Sequence, residues 1–251
     1  MKKLSAVIPT LLKDISILNR LLENLVNDVS VSEIIIINNS TKIYNYDSEK
    51  VKIISTGTNL YVNPSWNLGV KEANSEYIAL INDDIIIPEN FCSAILEKID
   101  NRHGIIGMNG NDVINIQEKN DTNDMQLTTP ILSDNITFKQ VKYRPFCFGI
   151  IMFFKKSVYK PIPDELKIFF GDDYIIHYAN KQKKICAMIC GQPVIHCGSL
   201  SSKVFSDVGK IENKSFKKLI FPWYKRILNF YERDTHYAFY FMFINFSIKK
   251  R

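Results

Sequence analysis

Two kinds of apolar pattern alternate over the first ninety residues. Residues 4–8, Glu33–Ile37, Val51–Ser55 and Tyr77–Ile81 are short, largely apolar runs of strand length. Between them, residues 14–27 set Ile15, Leu18, Leu21, Leu22 and Leu25 at helical spacing, with Asp14 placed to cap the first turn. Asn63 followed by Pro64 predicts a second helix running to about Asn74, because proline in a first turn forfeits no hydrogen bond. Ile85–Ile87 reads as a further short strand before Pro88. Apolar runs that alternate with amphipathic helices predict an α/β fold, a mostly parallel central sheet flanked by helices. Ligands of such sheets bind beyond the carboxyl ends of the strands. The clusters Asn38-Asn39-Ser40 and Asn82-Asp83-Asp84 stand at those ends.

The second half is less regular. Residues 111–140 are rich in Asn, Asp, Gln and Thr and read as a long, irregular excursion. Phe148–Phe154 and Ala187–Cys190 read as strands, and Asp172–Lys181 as a helix. No internal repeat is visible.

Composition sharpens this picture at one place. The chain has 251 residues, 46% hydrophobic, with a net charge of +6. From Lys203 to Arg251 there are eleven Lys/Arg against four Asp/Glu, so the other 202 residues together carry −1. The same 49 residues hold 13 of the 30 aromatic side chains. A nearly neutral body thus carries a basic, aromatic tail. The body supplies no basic groove and no nucleic-acid motif, so nucleic acid is not an expected partner.

The N-terminal lysines and apolar run resemble a secretory signal only superficially, since Pro9 breaks the run and Lys13-Asp14 follow. No stretch reaches the roughly 18 apolar residues of a membrane span. Five cysteines at uneven spacing favour reduced thiols and a cytosolic setting. Cys186, Cys190 and Cys197 beside His196 imitate a zinc site, but small buried hydrophobes are the expected reading.

Three constellations carry candidate chemistry. Adjacent carboxylates after the strand 77–81, Asp83 and Asp84, are costly unless solvated or met by a cation. A divalent metal on substrate phosphates uses one or two such carboxylates; the bland alternative is a solvated turn. Asp172-Asp173 opens a predicted helix, where capping competes with a general base as explanation. His196 follows an apolar run and is either a satisfied structural histidine or a ligand for a first-row metal. Walker, GxGxxG, HExxH and GxSxG motifs are not found.

The order of Ala6-Val7-Ile8-Pro9-Thr10, Glu33 to Thr41, Asn59, Asn67-Leu68-Gly69, Ala73, Glu76-Tyr77-Ile78 and Leu80-Ile81-Asn82-Asp83-Asp84 resembles the GT-A glycosyltransferases, above all family 2 and its rhamnosyltransferase-like members. The resemblance covers residues 4–90 well and 145–200 more loosely. It implies a GT-A fold in residues 1–202, with a nucleotide-sugar half at 1–100 and an acceptor half at 101–202. A basic, aromatic helical extension follows at 203–251.

By the same resemblance Pro9, Thr10, Asn39, Asn67, Asn82 and Asp83 serve the nucleotide sugar. Asp84 and His196 hold Mn2+ or Mg2+, and Asp173, beside Asp172, is the catalytic base. The implied activity is metal-dependent, inverting transfer of a sugar from a nucleoside-diphosphate donor to an acceptor hydroxyl in glycan synthesis. A glycan or lipid-linked glycan is the implied acceptor, met in the cytoplasm or at the inner face of a membrane. The tail is expected to contact that membrane, the body or a second copy of the chain. Three departures stand out: Asn39 replaces an aspartate, Asn82 replaces the first acid of a strict DXD, and Leu60 replaces a glycine. The rival readings are a nucleotidyltransferase of related fold and a non-catalytic sugar- or protein-binding module.

Overall fold

The computed structural model describes residues 2–116, 128–198 and 206–221, and the backbone of three strands between 228 and 249. The amino-terminal elements follow the apolar pattern closely. Strand β1 (Leu4–Thr10), helix α1 (Ile15–Asn27), β2 (Val31–Asn38), β3 (Val51–Ser55), α2 (Val62–Glu72) and β4 (Tyr77–Ile81) come in the expected order. Asp14 caps α1 by accepting from the N–H groups of Ser16 and Ile17 at 3.0 and 3.1 Å. Leu18, Leu21, Leu22 and Leu25 are fully buried on the sheet. Each contributes about 1.5–3 kcal/mol by leaving water.

Helix α2 begins differently from the reading. Tyr61, at φ +68°, precedes it, and no side chain caps its first turn. Asn63 is inside the helix, and its side chain is turned away to the segment before residue 170. Tertiary bonds to that segment outweighed the local cap. Gly69 lets α2 lie close on β1: a Cβ there would stand 2.1 Å from Cγ1 of Val7.

The chain continues through β5 (Ile85–Ile86), α3 (Phe91–Lys98), β6 (His103–Met108), β7 (Val113–Asn115), β8 (Thr137–Gln140), β9 (Ile151–Lys155), α4 (Gly171–Lys181), β10 (Ile185–Cys190) and β11 (Val194–His196). The excursion at 111–140 is thus not wholly irregular, since it contributes β7 and β8; residues 117–127 lie outside the described residues.

The central sheet has eight strands in the order β3-β2-β1-β4-β9-β6-β10-β8. Only β8 and β9 run against the others. A smaller sheet has the order β5-β11-β7, with β5 following the end of β4. One core cluster packs α1 and α3 on one face of the sheet, the other packs α2 and α4 on the opposite face.

The carboxyl-terminal part departs from the helical extension expected at 203–251. Helix α5 (Ser206–Ile220) is there, but β12 (Leu228–Glu232), β13 (His236–Phe241) and β14 (Ile244–Lys249) follow as an antiparallel meander. Alternation decides this: Ile244-Asn245-Phe246-Ser247-Ile248-Lys249 has period two, and aromatic residues favour strands. Phe216 and Ile220 of α5 are buried in the same core as α2 and α4. The side chains of 222–251, on which the expected membrane or subunit contacts rest, lie outside the described residues. Among the described residues no helix is long and apolar enough to cross a membrane.

Candidate active site

Strand order creates a crevice. The chain winds outward through β1, β2 and β3, then returns through α2 to place β4 on the other side of β1. Ligands bind at such a reversal, outside the carboxyl ends of the two strands. The β1–β4 pairing stops at Val7–Leu80, whereas β1 stays paired with β2 up to Thr10–Asn38. The strands therefore part where Pro9, Thr10 and Asn82-Asp83-Asp84 stand. The Thr10 hydroxyl donates to Oδ2 of Asp83 at 2.5 Å across the floor of this crevice. Loss of hydration, reinforced by the Asp84 charge, pushes the Asp83 pKa up to about 6 against the lowering effect of that bond.

The small sheet assembles the second part. β5 is antiparallel to β11 with Ile85 opposite His196, and β7 is parallel to β11 with Asn115 opposite His196. This register brings Nε2 of His196 to 3.3 Å from Oδ1 of Asp84 and Nδ1 of His196 to 2.9 Å from Oδ1 of Asn115. The Asn115 oxygen can only accept, so Nδ1 carries the proton toward it. Nε2 then faces a carboxylate oxygen of Asp84. Both atoms are buried with no hydrogen-bond partner. A carboxylate and an imidazole so placed suit a shared proton or a first-row divalent ion such as Mn2+. The chain's own donors here are two; among the described residues no group of three or more His, Cys, Asp or Glu side chains gathers.

The acid pair Asp172-Asp173 lies in the first turn of α4, behind Phe170 at φ +62°. Oδ2 of Asp172 reaches over Gly149, where an added Cβ would meet it at 2.7 Å. The next residue, Ile150, accepts from the backbone N–H of Asn82, so the pair adjoins the β4 end of the crevice. Nε of Arg144 stands 3.0 Å from Oδ2 of Asp173 and 3.3 Å from Oδ2 of Asp172. One guanidinium thereby offsets the repulsion of two adjoining carboxylates. A cleft of about 430 Å³ opens beside them, lined among others by Lys142, Tyr143, Arg144, Asp173, His177 and Lys181.

The remaining expected site residues are placed as follows. Pro9 and Asn82 are half-buried at the crevice. Asn39 is 5% exposed, with its amide exchanging bonds with Ser65 and accepting from the Leu60 N–H. Asn67 holds the 159–162 segment onto α2: its amide donates to Ile162 O and accepts from Tyr159 OH and Ile162 N–H. Of the aromatic residues flanking Arg144 in sequence, Tyr143 is half-buried and lines the cleft, Phe146 is 66% exposed and Phe148 is core. Cys186 is buried, and its thiol is pushed up to about 11 by burial. Arg144 and Asn115 were not singled out from the sequence, since neither sits in a motif, and Asn63 was read only as a helix start.

His177, one turn beyond Asp173 on the cleft, gives a testable pH response. Its Nε2 is buried without a hydrogen-bond partner, and burial together with the Lys181 charge pushes its pKa down to about 4. The unfolded chain takes up this proton near pH 6.5, the folded chain only near 4. The contribution to stability is therefore full above about pH 6.5 and is lost as the pH falls toward 4. Since the ring keeps solvent contact, the loss should be about 1–2 kcal/mol rather than the full shift. His177→Gln should flatten the fall in melting temperature between pH 7 and 4.5; an identical fall in the variant would exclude this account.

The architecture is an α/β fold of the GT-A type, with acidic groups at the switch point and a second acid pair adjoining it. The chain belongs to glycosyl transferase family 2, whose family model matches residues 5–162. No curated protein sequence matches it. Solved structures show the same fold at low identity. S. aureus TarS 1–349 in complex with UDP-GlcNAc matches 86% of this chain at 15% identity and a TM-score of 0.56. Its UDP complex does so at 15% and 0.54, and the longer TarS structure at 14% and 0.53. The chain spans 65% of TarS 1–349 in the UDP complex and 40% of the longer TarS.

Proposed function

We propose that this chain transfers a sugar from a nucleoside-diphosphate donor to an acceptor hydroxyl, with inversion at the anomeric carbon and dependence on Mn2+ or Mg2+. The observation that carries the metal-dependent reading is the pair of facing, unpartnered atoms Asp84 Oδ1 and His196 Nε2 at the crevice. Asp84 and His196 would hold the cation, and Asn115 would fix the histidine tautomer. A divalent ion there supplies positive charge to the diphosphate leaving group. The S. aureus TarS complexes with UDP and UDP-GlcNAc support a uridine nucleotide as the first donor to try.

The rest is work for side chains. Pro9, Thr10 and Asn82-Asp83 border the space between β1 and β4 where the nucleotide would lie. The acceptor would enter by the cleft beside α4, so that its hydroxyl meets Asp173. The acceptor oxygen attacks the anomeric carbon as the bond from that carbon to the phosphate oxygen breaks. The proton goes to Asp173, and the bond pair leaves with the nucleoside diphosphate. Direct displacement inverts the anomer.

The test is a donor panel. With Mn2+ present, UDP-, GDP- and dTDP-sugars are screened for calorimetric binding and nucleoside diphosphate release. Release from one donor, abolished by EDTA, is expected. Pyrophosphate release would favour a nucleotidyltransferase, and absence of binding to every donor would favour a non-catalytic module. A product with the donor's own anomeric configuration would overturn inversion.

A further inference from the structure

Glu212 is a buried acid that the proposed chemistry does not use. It is 3% exposed on α5, a helix otherwise rich in lysine. Its carboxylate accepts from three consecutive backbone N–H groups: Lys167 at 2.9 Å, Ile168 at 3.2 Å to each oxygen, and Phe169 at 2.7 Å. Successive N–H groups turned to one side form a concave anion-binding nest, and bonds to a charged acceptor are among the stronger kind. Here the anion comes from the chain itself.

The other side of the same segment is held by Asn63 of α2. Its Nδ2 donates to Leu166 O at 3.0 Å and Phe169 O at 3.1 Å, and its N–H donates to Lys167 O at 2.9 Å. Donors of 167–169 face one helix, and the carbonyls of 166, 167 and 169 face another. Gly171 lies against this clamp, since a Cβ there would meet Asn63 Oδ1 at 2.1 Å.

The segment leads directly into the acid pair. Phe170 is a bulky residue at φ +62°, a strained conformation that persists only when its surroundings over-determine it. Phe216, four residues after Glu212 on α5, stacks on the Phe170 ring with centroids 5.2 Å apart and planes at 19°. One turn of α5 thus grips the backbone before the left-handed residue and, with the next, the ring of that residue. Asp172 and Asp173 follow it by two and three positions.

We infer that Glu212 is a positioning residue: through the 167–169 nest it fixes the turn that aims Asp172 and Asp173, and α5 is thereby part of the catalytic unit. The inference rests on the proposed role of the acid pair, but the clamp itself can be read without turnover.

The experiment uses the full chain and the variants Glu212→Gln and Glu212→Asp. Glu212→Gln keeps the size but sets an amide N–H2 against backbone donors; Glu212→Asp keeps the charge on a shorter arm. Hydrogen exchange is followed at the amides of 167–170 and, as reference, at Tyr77–Ile81. In Glu212→Gln the first set should exchange about tenfold faster or more, with the second unchanged. With the donor found active in the panel, kcat should fall by about 10- to 100-fold, while KM and calorimetric binding of UDP with Mn2+ stay within about twofold. Glu212→Asp should lie between Glu212→Gln and the parent. If Glu212→Gln fails to fold, Glu212→Asp carries the same comparison. Unchanged exchange at 167–170 overturns the clamp, and accelerated exchange with unchanged kcat overturns the positioning role. If the parent chain turns over no donor, the functional reading falls, and the exchange result still decides the clamp.

Discussion

Asp173→Asn should abolish measurable sugar transfer while leaving nucleotide binding intact. The substitution preserves shape and leaves an oxygen able to accept from Nε of Arg144, so α4 and its neighbours should hold. What disappears is the acceptor for the proton released as the hydroxyl attacks. General-base catalysis of this kind contributes roughly 10²–10⁴-fold, and kcat should fall by that order. The Asp173 side chain lines the cleft beside α4 and is not among the residues proposed to border the nucleotide between β1 and β4. Calorimetric binding of UDP with Mn2+ should therefore match the parent chain within about twofold. Asp172→Asn is the informative partner. Asp172 accepts from the backbone N–H of Asp173 at 2.9 Å and lies over Gly149, which suits an orienting role and a smaller loss. Equal turnover in Asp173→Asn and the parent chain would end the assignment, and a larger loss in Asp172→Asn would move the base by one position.

The second large effect is expected at Asp84 and His196. Asp84→Ala should make nucleotide binding indifferent to metal. In the parent chain, Asp83 and Asp84 would oppose a bound diphosphate without a cation, so EDTA should weaken UDP binding strongly. Removing Asp84 takes away one of two donors together with part of that repulsion. The Mn2+-dependent gain should shrink by about 10- to 100-fold, with metal-free binding unchanged or slightly tighter. His196→Ala should act in the same direction. Asn115→Ala should give a weaker version, since it leaves both donors and frees only the ring. Titration of UDP with and without Mn2+ measures all of this, and an Asp84→Ala chain that keeps the full metal-dependent gain would exclude the site.

The unequal legibility of these residues has a physical pattern. Asp14, the leucines of α1 and the apolar strands β2, β3 and β4 were readable because the groups that decide them are neighbours in sequence. A cap acts over two or three residues, and burial of a face repeats every two or every 3.6. The candidate cation site was readable only as two separate fragments. Asp84 and His196 meet because β11 pairs with β5 in one register, and a slip of one residue would turn the imidazole to the other face. Arg144 carried no signal at all in Lys142-Tyr143-Arg144-Pro145.

Glu212 did leave a trace. Val208, Glu212, Phe216 and Ile220 recur every four residues, so an acid stands within an apolar stripe. Such an acid needs buried donors, and the sequence does not say where they are. The meander at β12–β14 was likewise present as alternation but was overshadowed by the charge and aromatic content of the tail.

By itself the sequence determined the kind of each amino-terminal element, the order that implies a parallel sheet and the polar clusters at its strand ends. The tertiary structure alone decided which of those ends face one another. It paired His196 with Asp84, set Arg144 on the acid pair and drew α5 into the turn before α4. Local pattern fixes which face of an element is buried, because that depends on spacing along the chain. The meeting of side chains a hundred residues apart depends on strand register and helix docking, and those are fixed only when the whole core packs at once.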